Sequence, residues 1–206
     1  MKKIIYFIEF LLVEFLFVIF KAIGYKSASN LGFFIGKNFG NFFRKKKSII
    51  ENLHKSKIAI NISDHKFVDN ILGNYGRILA EYPFLIDFRR NKLEQFITID
   101  GVENLDKIKN NKKPVVFISG HFNNFELMAM QIEKHGINLA AIYRPLNNIF
   151  LNKTMERIRT QYICRNQIRK GRSGTRQILE NLKKGNSIAL MIDQRVTEGI
   201  KIDFFG

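Results

Sequence analysis

Residues 115–126, VVFISGHFNNFE, form the most informative stretch of the chain. It begins with an apolar run typical of a buried strand, and Gly120 and His121 follow where the strand ends. The chain has four histidines, and this one stands at a strand exit. Because α/β folds commonly bind ligands at the carboxyl ends of their strands, we interpret His121 as a candidate catalytic residue.

Strand and helix patterns alternate on both sides of this stretch. The strand patterns cover residues 96–99, 115–119, 139–143 and 188–192. The helix patterns cover residues 102–108, 125–135, 149–163 and 175–184. This alternation predicts an α/β fold with a largely parallel sheet flanked by helices. His121, Arg144 and Asp193 stand at or just past strand ends, so we expect them to converge on one edge of the sheet.

Glu126 follows His121 by five residues, which are about 140° apart on a continuous helix and would not touch. If His121 lies in a turn and Asn123 or Asn124 caps the next helix, Glu126 sits in the first helical turn. It then reaches back to the imidazole, and the pair becomes a general base and the carboxylate that orients it. The competing interpretation is a capping carboxylate beside a histidine with a structural role, because the spacing alone is a weak motif.

Residues 4–20 form the most hydrophobic segment and are apolar except for Glu9 and Glu14. Each apolar residue contributes about −0.3 to −0.6 kcal/mol to the free energy of membrane insertion, and each central charge about +2.5 to +3.5 kcal/mol. The two glutamates therefore offset the apolar residues, and the total is near zero. We therefore assign residues 1–22 to a membrane-anchor helix that either crosses the bilayer or lies in its interface. A cleaved signal peptide is less favoured, because the glutamates interrupt the apolar run. A helical region follows, to about Asp87.

The formal net charge of +16 calls for an acidic partner: nucleic acid, an anionic membrane surface or an acidic protein. Residues 21–57 carry nine Lys or Arg and a single acid, Glu51, directly after the apolar segment. This basic collar favours the anionic membrane surface and, by the positive-inside rule, a cytoplasmic location for the rest of the chain. Nucleic acid is not expected as a partner, because the sequence has no recognised binding motif. The lone Cys164 suits a reducing compartment.

Several linked motifs together resemble a known family. They are GHFNNFE at residues 120–126, IYRPLNN at 142–148, GRSGTRQILENLKKGNSIALMIDQ at 171–194 and DFFG at 203–206. In this order they resemble the bacterial lipid A biosynthesis acyltransferases of the lauroyl and myristoyl type, which are lysophospholipid acyltransferase-like. The resemblance extends over nearly the whole chain, including the apolar N-terminus.

The resemblance implies transfer of a fatty acyl group from acyl carrier protein to a hydroxyl of a lipid A precursor, at the cytoplasmic face of the bacterial inner membrane. It implies no cofactor and no metal. His121 would be the general base and Glu126 its partner, while Arg144 would bind phosphate or the tetrahedral oxyanion. A solvated Arg144, or one in a structural ion pair, stays open as an alternative. Asn124, Asp193 and Gln194 are assigned to substrate binding, and a structural role for the last two is equally open. The basic residues between 157 and 176 dock the acidic carrier protein, bind the phosphates of the acceptor or form a solvated surface.

Members of the family usually continue past the FFG element, so we expect the acyltransferase domain, residues 23–206, to lack its C-terminal part. Three alternatives remain open from the sequence. The acceptor is a different membrane glycolipid or phospholipid, the chain is an inactive, truncated protein that binds membrane surfaces, or it binds nucleic acid. The last leaves the hydrophobic N-terminus unexplained.

Overall fold

A computed structural model describes residues 2–42, 45–57 and 63–194 of the chain. In these ranges the helices are α1 (Lys2–Ile23), α2 (Tyr25–Phe39), α3 (Lys46–Ser56), α4 (Asp64–Glu81), α5 (Leu85–Arg89), α6 (Val102–Asn111), α7 (Glu126–Lys134), α8 (Ile149–Ile158) and α9 (Arg172–Lys183). The strands are β1 (Val116–Ser119), β2 (Leu139–Tyr143), β3 (Asn166–Arg169) and β4 (Ser187–Met191). The DFFG element at 203–206 lies outside the described residues.

The four strands form one parallel sheet in the order β1-β4-β2-β3. The α/β fold with a parallel sheet and flanking helices is therefore confirmed. Its interior is apolar, with Leu139, Ala140 and Ile188 all buried in the central strands. Because all the strands are parallel, their carboxyl ends share one edge, and the residues that follow them meet there.

Two strand assignments differ from the sequence pattern. The strand predicted at 96–99 is wrong: a short 3₁₀ turn occupies Glu94–Phe96, and the Phe96 ring packs against Tyr25 instead of joining the sheet. The structure adds β3, which the sequence did not signal. As the sheet's outer strand, β3 buries Ile168 and leaves polar residues on either side, so its sequence has no continuous apolar run.

The N-terminal region is helical, as predicted, and α1 is one continuous helix of 22 residues. Among the described residues, no helix combines the length and apolarity needed to cross a bilayer. α1 is nevertheless part of the packed protein, because Phe17 and Phe20 are buried in the main hydrophobic core. At the start of α4, Ser63 Oγ caps the helix by accepting a hydrogen bond from the Lys66 backbone N–H at 3.4 Å.

Glycines bring α2 and α4 into direct backbone contact. A Cβ built on Gly32 would lie 2.5 Å from the Gly76 carbonyl oxygen, and a Cβ on Gly76 would lie 2.1 Å from the Gly32 oxygen. Such distances are far below van der Waals contact, so this crossing admits no side chain at either position. The close pairing fixes the end of α4, where Glu81 and the following Tyr82 reach towards the turn after β1.

Candidate active site

Strand register brings His121 and Asp193 together. β1 and β4 are neighbours, with Ser119 paired to Met191, so the residues two positions beyond each strand end are His121 and Asp193. Asp193 Oδ1 lies 2.7 Å from His121 Nδ1, and Asp193 Oδ2 accepts the His121 backbone N–H at 2.7 Å. One carboxylate therefore fixes both the backbone and the ring of the histidine.

The contacts of the His121 ring are consistent with one tautomer. A carboxylate only accepts, so the proton of the neutral imidazole lies on Nδ1, facing Asp193. On the other side, the Gln194 amide nitrogen lies 3.3 Å from Nε2, as a donor to a lone pair would. The Phe125 ring stacks edge-on against the imidazole, with centroids 4.8 Å apart. Nε2 is thus the nitrogen able to take a proton.

Asp193 keeps its negative charge in this arrangement. The hydrogen bond from the His121 backbone N–H, and after it the bond from the ring, lowers the pKa of the Asp193 carboxyl below its ordinary value, although burial acts in the opposite direction. The carboxylate therefore stays ionised at neutral pH, where it orients the ring and favours the imidazolium that forms when Nε2 takes a proton.

The expected contact between Glu126 and His121 is wrong. Glu126 lies in the first turn of α7, as predicted, but its Oε1 accepts hydrogen bonds from Arg159 Nε at 2.8 Å, Arg159 Nη2 at 2.7 Å and the Tyr82 hydroxyl. Glu126 is only 6% exposed. The expected cap is also wrong, since Phe125 holds the cap position of α7 without a side-chain hydrogen bond.

Tyr82 donates to Glu126 as a neutral phenol. Burial first, and the neighbouring Glu126 carboxylate next, raises the pKa of Tyr82 well above its ordinary value, although Arg159 opposes the shift. Arg159 also donates to the Tyr82 oxygen at 3.0 Å. Glu126, Tyr82 and Arg159 thus form a buried hydrogen-bonded cluster that ties the start of α7 to the end of α4 and to the π-helical turn Arg159–Ile163.

Asn124 is held by a second buried acid. Its Nδ2 donates to Glu81 Oε2 at 2.9 Å, and the other oxygen of Glu81 accepts from Ser29 Oγ at 2.7 Å. Glu81 is 5% exposed, and Asn124, expected to bind substrate, is not among the residues that line the adjoining pocket. Consecutive residues of the chain, Glu81 and Tyr82, therefore hold Asn124 and Glu126, on either side of Phe125.

A pocket of about 760 Å³ lies at the carboxyl edge of the sheet, a size typical of ligand sites. His121 and Gln194 line it together with Arg144, which follows β2 as predicted. Its other lining residues include the apolar Phe125, Met128, Ala141, Ile142, Ile163, Ile178, Leu190 and Ile192, and the basic Arg159, Arg169 and Lys170. The edge predicted to gather His121, Arg144 and Asp193 is thus the edge that carries this pocket.

Two of the four basic residues at the pocket form ion pairs: Arg159 with Glu126, and Arg169 with Glu156. Arg144 and Lys170 have no acidic partner among the residues that the structure describes. Arg144 and Lys170 are exposed at the pocket, where they can receive a negative group. In the same described ranges, no three His, Cys, Asp or Glu side chains are grouped so that they could hold a metal ion.

Sequence reasoning missed Glu81, Tyr82 and Arg159. Glu81 and Tyr82 stand at the end of an amphipathic helical pattern, and Arg159 belongs to a basic run whose residue types fit either docking or a solvated surface. What connects these residues to the site is their buried hydrogen bonds to Asn124 and Glu126, which depend on tertiary packing. The pairing of Asp193 with His121 likewise depends on the strand order β1-β4.

A family model described as bacterial lipid A biosynthesis acyltransferase matches residues 1–206. A search among curated proteins found no match. The match spans the apolar N-terminal helix and the sheet with its carboxyl-edge pocket, so the motifs that suggested the resemblance lie within one matched region.

Proposed function

Because the chain belongs to the bacterial lipid A biosynthesis acyltransferase family, we propose that it transfers a fatty acyl group from an acyl carrier protein thioester to a hydroxyl of a lipid A precursor. The single observation that carries the proposal is the geometry of His121. Asp193 holds its Nδ1, and Nε2 is left as a proton acceptor in a residue that lines the pocket. A base placed in this way is what direct attack of a hydroxyl on a thioester requires.

In the proposed reaction the acceptor hydroxyl displaces the Gln194 amide from His121 Nε2 and gives its proton to that nitrogen. The hydroxyl oxygen attacks the thioester carbonyl carbon, a C–O bond forms, and the carbonyl electron pair moves to oxygen as a tetrahedral oxyanion. When this intermediate collapses, the C–S bond breaks and the thiolate of the carrier leaves. The imidazolium, stabilised by Asp193, then protonates the thiolate, which restores the neutral base.

The cations at the pocket fit two needs of this reaction. Arg144 follows β2 beside the strand that delivers Asp193, and it is free to bind an acceptor phosphate or the oxyanion. Lys170, next to β3, adds a second positive charge at the same edge. Arg144 and Lys170 would both strengthen the binding of a phosphorylated acceptor, because each can donate charge-assisted hydrogen bonds to phosphate oxygens.

Glu126 takes a supporting part in the proposed mechanism. Its carboxylate accepts hydrogen bonds from Arg159 and Tyr82, and these contacts fix the start of α7. Asp193, not Glu126, orients the His121 ring in this mechanism. Arg159, Glu126 and the histidine line the same pocket, which keeps the Glu126 cluster next to the chemistry.

The donor is proposed to dock on the basic surface near the pocket. Arg157 and Arg165 are exposed on or beside α8 and β3, where they suit an acidic carrier protein. The acceptor is proposed to come from the cytoplasmic leaflet of the inner membrane, to which the exposed apolar residues of α1 and the net charge of +16 are suited.

The test is acyl transfer by the purified full chain with a labelled acyl carrier protein thioester, comparing wild type with His121→Ala. His135→Ala is the matched control, because His135 also bonds an aspartate, Asp106, but ends α7 away from the pocket. We expect transfer to the lipid A precursor by wild type and His135→Ala, and none by His121→Ala. Equal transfer by His121→Ala would remove the mechanism.

Running the same assay with a lysophospholipid acceptor separates the two acceptor classes. Transfer to the lysophospholipid alone would replace the lipid A precursor by another membrane lipid and leave the His121 chemistry intact. The reaction class and the acceptor are thereby tested independently.

A further inference from the structure

One face of α1 is apolar, exposed and free of charge. Side chains at spacings of three and four residues form it, and they are 51–68% exposed: Ile4, Ile8, Leu11, Leu12, Phe15 and Val18. Large apolar residues scattered singly on a surface are ordinary, but a continuous stripe along a helix marks an interaction face.

The opposite face of α1 is bound to the rest of the protein. Glu9 Oε2 accepts a hydrogen bond from Asn148 Nδ2 at 2.9 Å, and Glu14 Oε1 accepts one from Thr154 Oγ1 at 2.9 Å. Each of the two glutamates that interrupt the apolar segment in the sequence is therefore hydrogen-bonded to α8 or to its cap. Because both carboxylates bond to the protein, the apolar face carries no charge to be desolvated when it is covered.

These contacts run along most of the helix. Near its start, the Phe7 ring meets Phe150 edge-on, with centroids 5.4 Å apart. Near its end, Phe17 and Phe20 are buried in the core and Lys21 forms an ion pair with Asp87. A transmembrane helix needs lipid or other spanning segments around it over about 30 Å, so spanning would require α1 to give up all of these contacts.

We propose that α1 lies in the plane of an anionic membrane surface, with its apolar face in the lipid and its glutamate face on the protein. The charges around the stripe favour lipid over a second copy of the chain: Lys2 and Lys3 stand at one end and Lys26 just beyond the other, all exposed. Two copies meeting through this face would bring these like charges together, whereas anionic head groups neutralise them.

The orientation has a consequence for the reaction. Asn147 lines both the main pocket and a cleft formed with Lys2, Lys3 and Tyr6, while Asn148 also donates to the Tyr6 carbonyl at 2.8 Å. The mouth of the pocket thus adjoins the amino-terminal end of the lipid-facing helix. A lipid acceptor reaches the pocket sideways from the leaflet, without leaving the surface.

Depth measurements distinguish the two orientations. The chain contains no tryptophan, so Ile4→Trp, Leu11→Trp and Val18→Trp are each single-tryptophan proteins. The first and last of these positions are about 21 Å apart along the helix. With phosphatidylethanolamine–phosphatidylglycerol vesicles, we expect all three to be quenched most by lipids brominated near the head group. Quenching of Leu11→Trp by bromines at the bilayer centre, with the other two shallow, would show a spanning helix and overturn the proposal.

A matched pair of substitutions tests the face itself. Leu12 on α1 and Leu179 on α9 are both 57% exposed. We expect Leu12→Asp to lower vesicle partitioning by about tenfold or more, and Leu179→Asp to leave it near that of wild type. If the wild-type chain does not bind vesicles and instead forms a dimer that Leu12→Asp dissociates, the apolar face binds a second copy of the chain and the proposal fails. Neither assay needs acyl transfer, so the outcome is independent of the proposed function.

Discussion

Glu81 accepts a hydrogen bond from Asn124, with Oε2 2.9 Å from Nδ2 across 43 residues of sequence. The contact ties α4, in the helical N-terminal region, to the turn that carries His121. The neighbouring Tyr82 makes the parallel contact to Glu126. The N-terminal helices therefore support the turn that carries His121 and are also a candidate membrane contact, and removing them is expected to disturb the pocket.

Glu81 tests this support. Glu81→Ala leaves the Asn124 amide without its acceptor, so we expect kcat to fall several-fold or more with little change in KM, because the turn loses its fixed position. Ser29→Ala is the control: it removes the hydrogen bond to the other carboxylate oxygen of Glu81 and keeps the Asn124 contact. It should lower the free energy of unfolding by about 1 kcal/mol and preserve kcat. Equal kcat losses in both variants would mean that stability alone is responsible.

Glu126 and Arg159 form a buried ion pair, with exposed side-chain fractions of 7% and 16%. Glu126→Ala leaves an uncompensated buried cation, and we expect the free energy of unfolding to fall by about 3–5 kcal/mol in urea titrations. The double variant Glu126→Leu/Arg159→Met removes both charges and should recover much of that loss. If Glu126→Ala unfolds like wild type and loses activity, Glu126 acts directly in the reaction instead.

The crossing of α2 and α4 gives a stability prediction whose sign is informative. In an open helix, replacing glycine with alanine stabilises by about 1 kcal/mol. At Gly76 the new Cβ would meet backbone, 2.1 Å from the Gly32 oxygen, so we expect Gly76→Ala to destabilise by about 1–3 kcal/mol or more. Tyr75→Ala, on the exposed side of the same helix, should change stability far less. A stabilised Gly76→Ala would show that the two helices are not in contact.

Cys164 reports on unfolding. It is 1% exposed, and burial raises the pKa of its thiol to about 11. At pH 8 roughly one thiol in a thousand is then ionised, so we expect alkylation of the folded chain to be very slow and to become fast in urea. Rapid labelling of the folded protein would contradict the buried position.

The shifted pKa of Cys164 also sets a direction for stability. The folded pKa lies above that of an unfolded cysteine, about 8.5, so the unfolded chain loses its proton first as pH rises. The contribution of this thiol to stability is complete below about pH 8.5 and decreases between there and about pH 11. Unfolding titrations of wild type and Cys164→Ala across this range measure it as a difference that shrinks with rising pH.

The sequence predicted those parts of the fold that local pattern determines. β1, β2 and β4 are apolar runs bounded by polar residues, and the helices around them carry periodic apolar faces. Placing His121, Arg144 and Asp193 at one sheet edge followed from parallel strands alone. β3 escaped notice because an outer strand needs few apolar residues, and Ile168 is the one it buries.

The partner of His121 was beyond local reasoning. Glu126 is five residues away and Asp193 is 72, and sequence distance favoured the nearer carboxylate. Strand order decides between them, because β4 lies beside β1 and places Asp193 next to the imidazole. Glu126 instead accepts hydrogen bonds from Arg159 and Tyr82. Contacts made across 44 and 33 residues cannot be read from spacing.

The proposed mechanism depends on the pairing of His121 with Asp193, and the kcat of Asp193→Asn is the decisive measurement. An asparagine keeps the shape but can donate to Nδ1, which moves the imidazole proton to Nε2 and removes the base. We predict that kcat for acyl transfer falls by about 10²–10⁴-fold with KM and stability nearly unchanged. A kcat within about twofold of wild type would contradict the pairing.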